Sequence, residues 1–202
     1  MATINGSLYD TREAWLEAAM SELSPAFAEA GFPLPDRIRV TCGFGSGGTR
    51  KKKNGAVQVG ECWPDVRSGD ASFEIMVSPI EDDPVSVLAI LTHELCHAAD
   101  GCKNGHRAHS PFATLARALH LEGKLTATFA GDAFKQFIAP ILRTLGAYPH
   151  AALDTSTRPK QGTRMIKCVC PACGYTVRTT HKWLAVGQPL CPKHSFLIPE
   201  GN

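Results

Sequence analysis

The apolar positions between residues 85 and 99 define the most regular element of the chain. Val87, Leu88, Leu91, Leu95 and Ala98 recur at intervals of three and four, which lays a buried stripe along one face of an α-helix. Asp83-Pro84 precedes this run and Gly101 follows it. These supply a side-chain cap, a proline tolerated in a first turn, and a residue able to end the helix. Three further stretches carry the helical period. Trp15, Ala19, Leu23 and Phe27 follow the capping-box string Asp10-Thr11-Arg12-Glu13 and run until Gly31 and Pro33. Phe112, Leu115, Ala116 and Leu119 follow Ser110-Pro111 and run to Gly123, and Phe134, Phe137, Ile138, Ile141, Leu142 and Leu145 lie ahead of Gly146.

Residues 37–42, 56–63 and 71–78 have strand character instead, clearest in the alternation of Ile38 and Val40 with polar neighbours. Together they predict a three-stranded antiparallel sheet packed on the helices. The first two are separated by a glycine-rich stretch that ends in Arg50-Lys51-Lys52-Lys53-Asn54-Gly55, which predicts a hairpin loop with a basic tip. This stretch formally contains G-x-G-x-x-G, but four cations follow where a dinucleotide site needs a helix to open. It also lacks the Lys-Ser/Thr of a P-loop. Residues 149–163, rich in Pro, Thr and charge, read as a linker between a domain at 1–148 and a small one at 164–202. The expected fold class is α+β with an appended module.

Composition narrows the setting. The 202 residues are 44% hydrophobic, enough for one sizeable core and an appendage. No run of eighteen apolar residues occurs, and the N-terminus has no basic start leading into an apolar segment. The expectation is a soluble protein with no membrane association, cytoplasmic, or in a host's cytoplasm if viral. Residues 151–202 carry 7 Lys/Arg against 2 Asp/Glu, while 1–150 carry 14 against 17. A basic tail on an acidic body favours an acidic partner for the tail, of which nucleic acid is the commonest.

The central helix carries the chemistry. His93-Glu94-Leu95-Cys96-His97 reads H-E-x-x-H, and a spacing of four brings both imidazoles to one side of a helix with Glu94 beside them. That is a two-ligand zinc platform with a general base. A catalytic zinc takes a third protein ligand. The metzincin pattern is excluded because positions 100 and 103 are Asp100 and Lys103. Three donors remain: His106 and His109 in the polar loop, and Glu122 further on.

A second site follows from spacing alone. Cys170-Pro171-Ala172-Cys173 and Cys191-Pro192-Lys193-His194 form two knuckles that suit a zinc ribbon with three thiolates and one imidazole. Four filled positions make this zinc structural, and so small a module needs its metal to fold. Cys168 is close enough to compete for the position of Cys170. Cys42, Cys62, Cys96 and Cys102 read as buried thiols. Reduced cysteines fit an intracellular setting.

His-Glu-Leu-Cys-His-Ala-Ala, Gly105-His106, the helix begun at Phe112, Val59-Gly60-Glu61-Cys62-Trp63, the stretch from Phe73 to Pro79 and the stretch from Gly123 to Thr128 together resemble the SprT-like (Spartan-type) metalloprotease family. The likeness runs into the C-terminal ribbon and is greatest to the small bacterial and phage members. It implies a zincin-like domain, built from the N-terminal helix, the sheet, the H-E-x-x-H helix and the helices after it, followed by a zinc ribbon. It further implies His93 and His97 as zinc ligands, Glu94 as base and a third histidine from the loop, where Gly105-His106 favours His106. The family's Gly-His-Gly-x-x-Phe has its aromatic four residues after the ligand, whereas Phe112 lies six after His106 and three after His109. The implied activity is zinc-dependent endopeptidase action on proteins bound or crosslinked to DNA, with one catalytic and one structural zinc ion, and with DNA contacted by the ribbon and the basic loop. Two readings of other classes compete with it. One is a nucleic-acid-associated module working through Tyr175, Arg178, Lys182 and Trp183, and the other is metal-dependent hydrolysis of a non-peptide substrate.

Overall fold

The computed structural model describes residues 7–48, 57–156 and 165–195, and the backbone of 198–199. The basic loop tip, Arg50 to Lys53, lies outside them. The chain divides into two compact units, Met1–Thr155 and Ser156–Asn202, and the division falls inside the stretch expected to be a linker.

Helix α1 spans Arg12–Glu29. Thr11, not Asp10, is its cap and accepts from the Ala14 N–H. Glu13 is thereby freed from a capping box, and its carboxylate accepts from the Cys42 N–H at 3.1 Å, tying the helix to the sheet. Trp15, Leu16, Ala19, Leu23 and Phe27 are fully buried. Helix α2 spans Pro84–Ala99 with Asp83 as cap, and its whole predicted stripe is buried. Helix α3 spans Pro111–Ala118. It stops short of Gly123 because His120 takes a left-handed conformation, φ 62°. Helix α4 spans Asp132–Leu145 and buries Phe134, Ile138, Ile141 and Leu145.

Strands β1 (Ile38–Cys42), β2 (Gly60–Trp63) and β3 (Phe73–Val77) form one sheet in the order β1-β3-β2. The expectation of an all-antiparallel sheet is corrected here. β1 runs parallel to β3, with Val40 opposite Ile75, while β2 runs antiparallel to it, with Cys62 opposite Ile75. The stretch after β1 is accordingly not a hairpin loop, since it carries the chain to the far edge of the sheet. Alternation fixes which face of a strand is buried, but a long connection leaves its neighbour and direction open. Phe73, Ile75 and Val77 of β3 join α1 and α2 in one core.

A short hairpin not expected from the sequence, β4 (Glu122–Lys124) and β5 (Ala127–Phe129), precedes α4. Among the described residues, no helix is long and apolar enough to cross a membrane.

The second unit holds β6 (Ile166–Val169), β7 (Thr176–Thr179), helix α5 (His181–Val186) and β8 (Ile198–Pro199), with the strands antiparallel in the order β7-β6-β8. Its core is small: Ile166, Cys168, Cys170 and Cys191, with Val177 and Leu184 against them. The whole chain is a mixed α+β structure of five helices and small sheets among the described residues.

Candidate metal centres

The first centre begins with the period of α2, which puts His93 and His97 one turn apart on one face. The chain then turns sharply. Gly101 and Gly105 both take positive φ, 64° and 54°, a conformation costly for other residues. The Cys102 N–H donates to the His97 carbonyl at 2.8 Å. The Asp100 carboxylate accepts from the Asn104 backbone N–H at 3.0 Å and from its side-chain amide at 2.7 Å. This folded loop returns His106 over the helix, so that its Nε2 lies 3.2 Å from Nε2 of His93 and 3.1 Å from Nε2 of His97.

Three imidazole nitrogens converging this closely form a candidate metal-binding group. A tetrahedral zinc ion with Zn–N bonds of about 2.0–2.1 Å needs ligand nitrogens roughly 3.3–3.4 Å apart, so the observed separations are compatible with zinc. His109 is exposed and outside the group. Glu122, also exposed, belongs to neither metal group; its carboxyl lies against Gly131, where any added side chain would strike it. The alternatives for the third donor therefore do not join the cluster: His109 and Glu122 lie on segments that the loop and the β4–β5 hairpin direct elsewhere.

Two residues support the imidazoles. Phe112, fully buried at the start of α3, stacks under His97 with ring centroids 4.2 Å apart and planes at 21°. It also meets His93 and His106 edge-on at 4.9 and 5.0 Å. Thr128 Oγ1 lies 2.8 Å from Nδ1 of His93. With Nε2 turned into the cluster, Nδ1 carries the proton and donates to this hydroxyl, which fixes both tautomer and ring orientation. Sequence reasoning gave Phe112 a core role and Thr128 none. Only the aromatic after the loop and the Gly-to-Thr stretch within the family resemblance hinted at either.

Burial is the main cause of the low basicity of the first two rings, and their neighbours' charges add to it. His93 is brought down to about 3 by burial and then by His97 and His106, and His97 to about 4 by burial and then by His106. Both are neutral near pH 7, the form that binds metal. Glu94 is 7% exposed. Burial, followed by the negative fields of Cys102 and Glu61, raises its carboxyl to about 8 in the metal-free chain. It stands against Gly60 at the start of β2, where any side chain would collide with its Oε1. Gly60 is thus what lets the edge strand approach the H-E-x-x-H helix.

The second centre gathers Cys170, Cys173, Cys191 and His194. His194 Nδ1 is 3.5 Å from the Cys170 sulfur and 3.7 Å from that of Cys191, and the Cys173 and Cys191 sulfurs are 3.7 Å apart. Tetrahedral zinc with Zn–S bonds of about 2.3 Å needs sulfurs roughly 3.8 Å apart and S···N pairs near 3.6 Å, so this donor set too is compatible with zinc. Burial works to raise the Cys191 thiol, but the Lys193 and His194 N–H groups and the His194 ring outweigh it and bring the thiol to about 6. Cys168 does not join the donors. It is fully buried in β6, opposite Val177. Tyr175 and Trp183 are 45% and 58% exposed, so neither is sequestered in the core of this unit.

No family model matches the chain, and no curated protein or solved structure matches it.

Proposed function

We propose that this chain is a zinc-dependent endopeptidase of the SprT-like type, with its catalytic centre at His93, His97 and His106 and a structural zinc in a C-terminal ribbon. The observation that carries this reading is the return of His106 Nε2 to within 3.2 Å of both helix histidines. It brings three imidazole nitrogens together beside a helix that also bears Glu94, with the His106 nitrogen at separations from the other two that a tetrahedral ion accepts. Zinc held there supplies Lewis acidity that activates water and polarises a carbonyl.

The residues around it perform the remaining tasks. Glu94 takes the proton from the attacking water and returns it to the leaving amine, and a bound cation favours the carboxylate form this requires. Thr128 and Phe112 hold the imidazoles in place. β2 lies at the edge of its sheet, close to Glu94 at Gly60, and an extended peptide can align there through main-chain hydrogen bonds.

Glu94→Gln tests this. It removes the base without removing a ligand, so kcat/KM for a denatured or DNA-bound protein substrate should fall by ~10²–10⁴-fold while zinc content stays unchanged. A variant that cleaves as fast as the parent overturns the mechanism.

A DNA-associated substrate is favoured by the +5 excess of residues 151–202 (7 Lys/Arg against 2 Asp/Glu) and by the exposure of Tyr175 and Trp183. The Lys182 ammonium adds to this surface, lying 5.0 Å from the Trp183 ring centre. Exposed aromatics among cations suit unpaired bases and phosphates. A chain ending at Thr155 should keep the first centre and lose most affinity for single-stranded oligonucleotides. If it binds them as well as the full chain at moderate salt, the second unit is not the DNA contact.

A further inference from the structure

Cys62 and Cys102 read in the sequence as buried thiols; the structure leaves both half-buried and brings them together. Cys62 stands on the edge strand β2, and Cys102 lies in the turn between His97 and His106. Their sulfurs are 3.4 Å apart. Both residues are half-buried, so a small solute can reach them. The pair belongs to neither metal-ligand group found among the described residues. Cys42, Cys96 and Cys168 lie elsewhere, on β1, α2 and β6.

We propose that Cys62 and Cys102 form a reversible disulfide that fastens the turn carrying the third histidine to the strand flanking Glu94. A disulfide bond is about 2.05 Å long, so the sulfurs must close by roughly 1.3 Å, within reach of small side-chain rotations and a slight shift of the turn. The oxidant class is a hydroperoxide. The thiolate of one of the two attacks a peroxide oxygen, the O–O bond breaks with loss of water, and that cysteine becomes a sulfenic acid. The sulfur of the other cysteine, 3.4 Å away, then displaces water from it. In balance, two thiols and one hydrogen peroxide give one disulfide and two waters. A dithiol such as dithiothreitol reverses the bond by exchange.

The bond closes a loop through residues 63–101, which contains β3 and α2. Restricting so long a loop in the unfolded chain raises stability when the native geometry accepts the bond. The experiment takes the full, zinc-loaded chain in the absence of reductant and treats it with a small molar excess of hydrogen peroxide. Expected are a dithiothreitol-reversible loss of two hydrogens, a crosslinked peptide joining Cys62 to Cys102, and a thermal midpoint raised by roughly 5–15 °C. Cys62→Ser and Cys102→Ser should each abolish both the crosslink and the rise. The proposal is overturned if Cys62 still alkylates after oxidation, if Cys102 is recovered as sulfinic acid or bonded to another cysteine, or if the crosslink forms without raising the midpoint. None of these readouts depends on peptidase activity.

Discussion

The two candidate metal-binding groups are built from different donors and stand in different relations to their surroundings. The first has three imidazoles, set on α2 and the loop after it and backed by the core at Phe112. The core that orders these residues is made of α1, the sheet and α4. The second has three cysteine sulfurs and an imidazole, and two of those cysteines, Cys170 and Cys191, are themselves half of the buried core around them. Three donors would leave a tetrahedral ion one position for substrate chemistry, whereas four would close it off. In the larger unit a separate core holds the donors in place, whereas in the smaller one the donors are themselves part of the core.

The largest expected effect separates the two directly. A strong chelator should abolish the amide dispersion of residues 166–195 in an NMR spectrum, because a structural zinc contributes on the order of 10–16 kcal/mol to a module of this size. The dispersion of the larger unit should persist. A small unit that stays ordered without metal breaks the distinction.

Thr128→Val sharpens the account of the first group. It deletes the acceptor for His93 Nδ1 with little change in shape, and loss of such an orienting partner weakens metal binding by about 10–100-fold. Competition with a chromophoric chelator measures this. The second group should hold its metal as before, and an unchanged first-site affinity would mean that the hydroxyl does not position the ring.

The smallest effect is on the pH dependence of the metal-free larger unit. His93 and His97 are depressed to about 3 and about 4 by burial and by neighbouring imidazoles, against roughly 6.5 in an unfolded chain. As pH falls below about 6.5 the unfolded state takes up two protons that the folded state refuses, so stability declines toward pH 4. Glu94, raised to about 8 by burial, acts in the opposite sense. Its contribution is fully present below its unfolded value near 4.5 and is lost as pH rises through 8. These three groups place the maximum near pH 6.5. A thermal midpoint followed from pH 4 to 9 should decline on both sides, and Glu94→Gln should flatten the alkaline side and steepen the acid side.

Helices were the most legible part of the chain. The stripes of α1, α2 and α3 are buried at every predicted position, because a stripe repeated over several turns admits one face and one period. In α4, Phe137 and Leu142 are only partly buried, since a six-residue stripe is wider than the face the core can cover. The β4–β5 hairpin was missed because three-residue strands of mostly exposed residues carry no apolar alternation.

Short-range geometry along the chain is readable from residue spacing. Four-residue spacing on α2 pairs His93 with His97 and sets Glu94 between them. Spacing of three likewise pairs Cys170 with Cys173 and Cys191 with His194, while the meeting of the two knuckles is a longer-range contact of the second unit. Tertiary structure alone decided the rest. His106 displaced His109 and Glu122 because left-handed glycines and the Asp100–Asn104 bonds turn the loop back over α2. Thr128 reached His93 across thirty-five positions, Cys102 met Cys62 across forty, and β1 came to lie parallel to β3. The physical reason is common to all four. Local backbone geometry carries information over one or two turns, while contacts between distant segments are chosen by how the whole core packs.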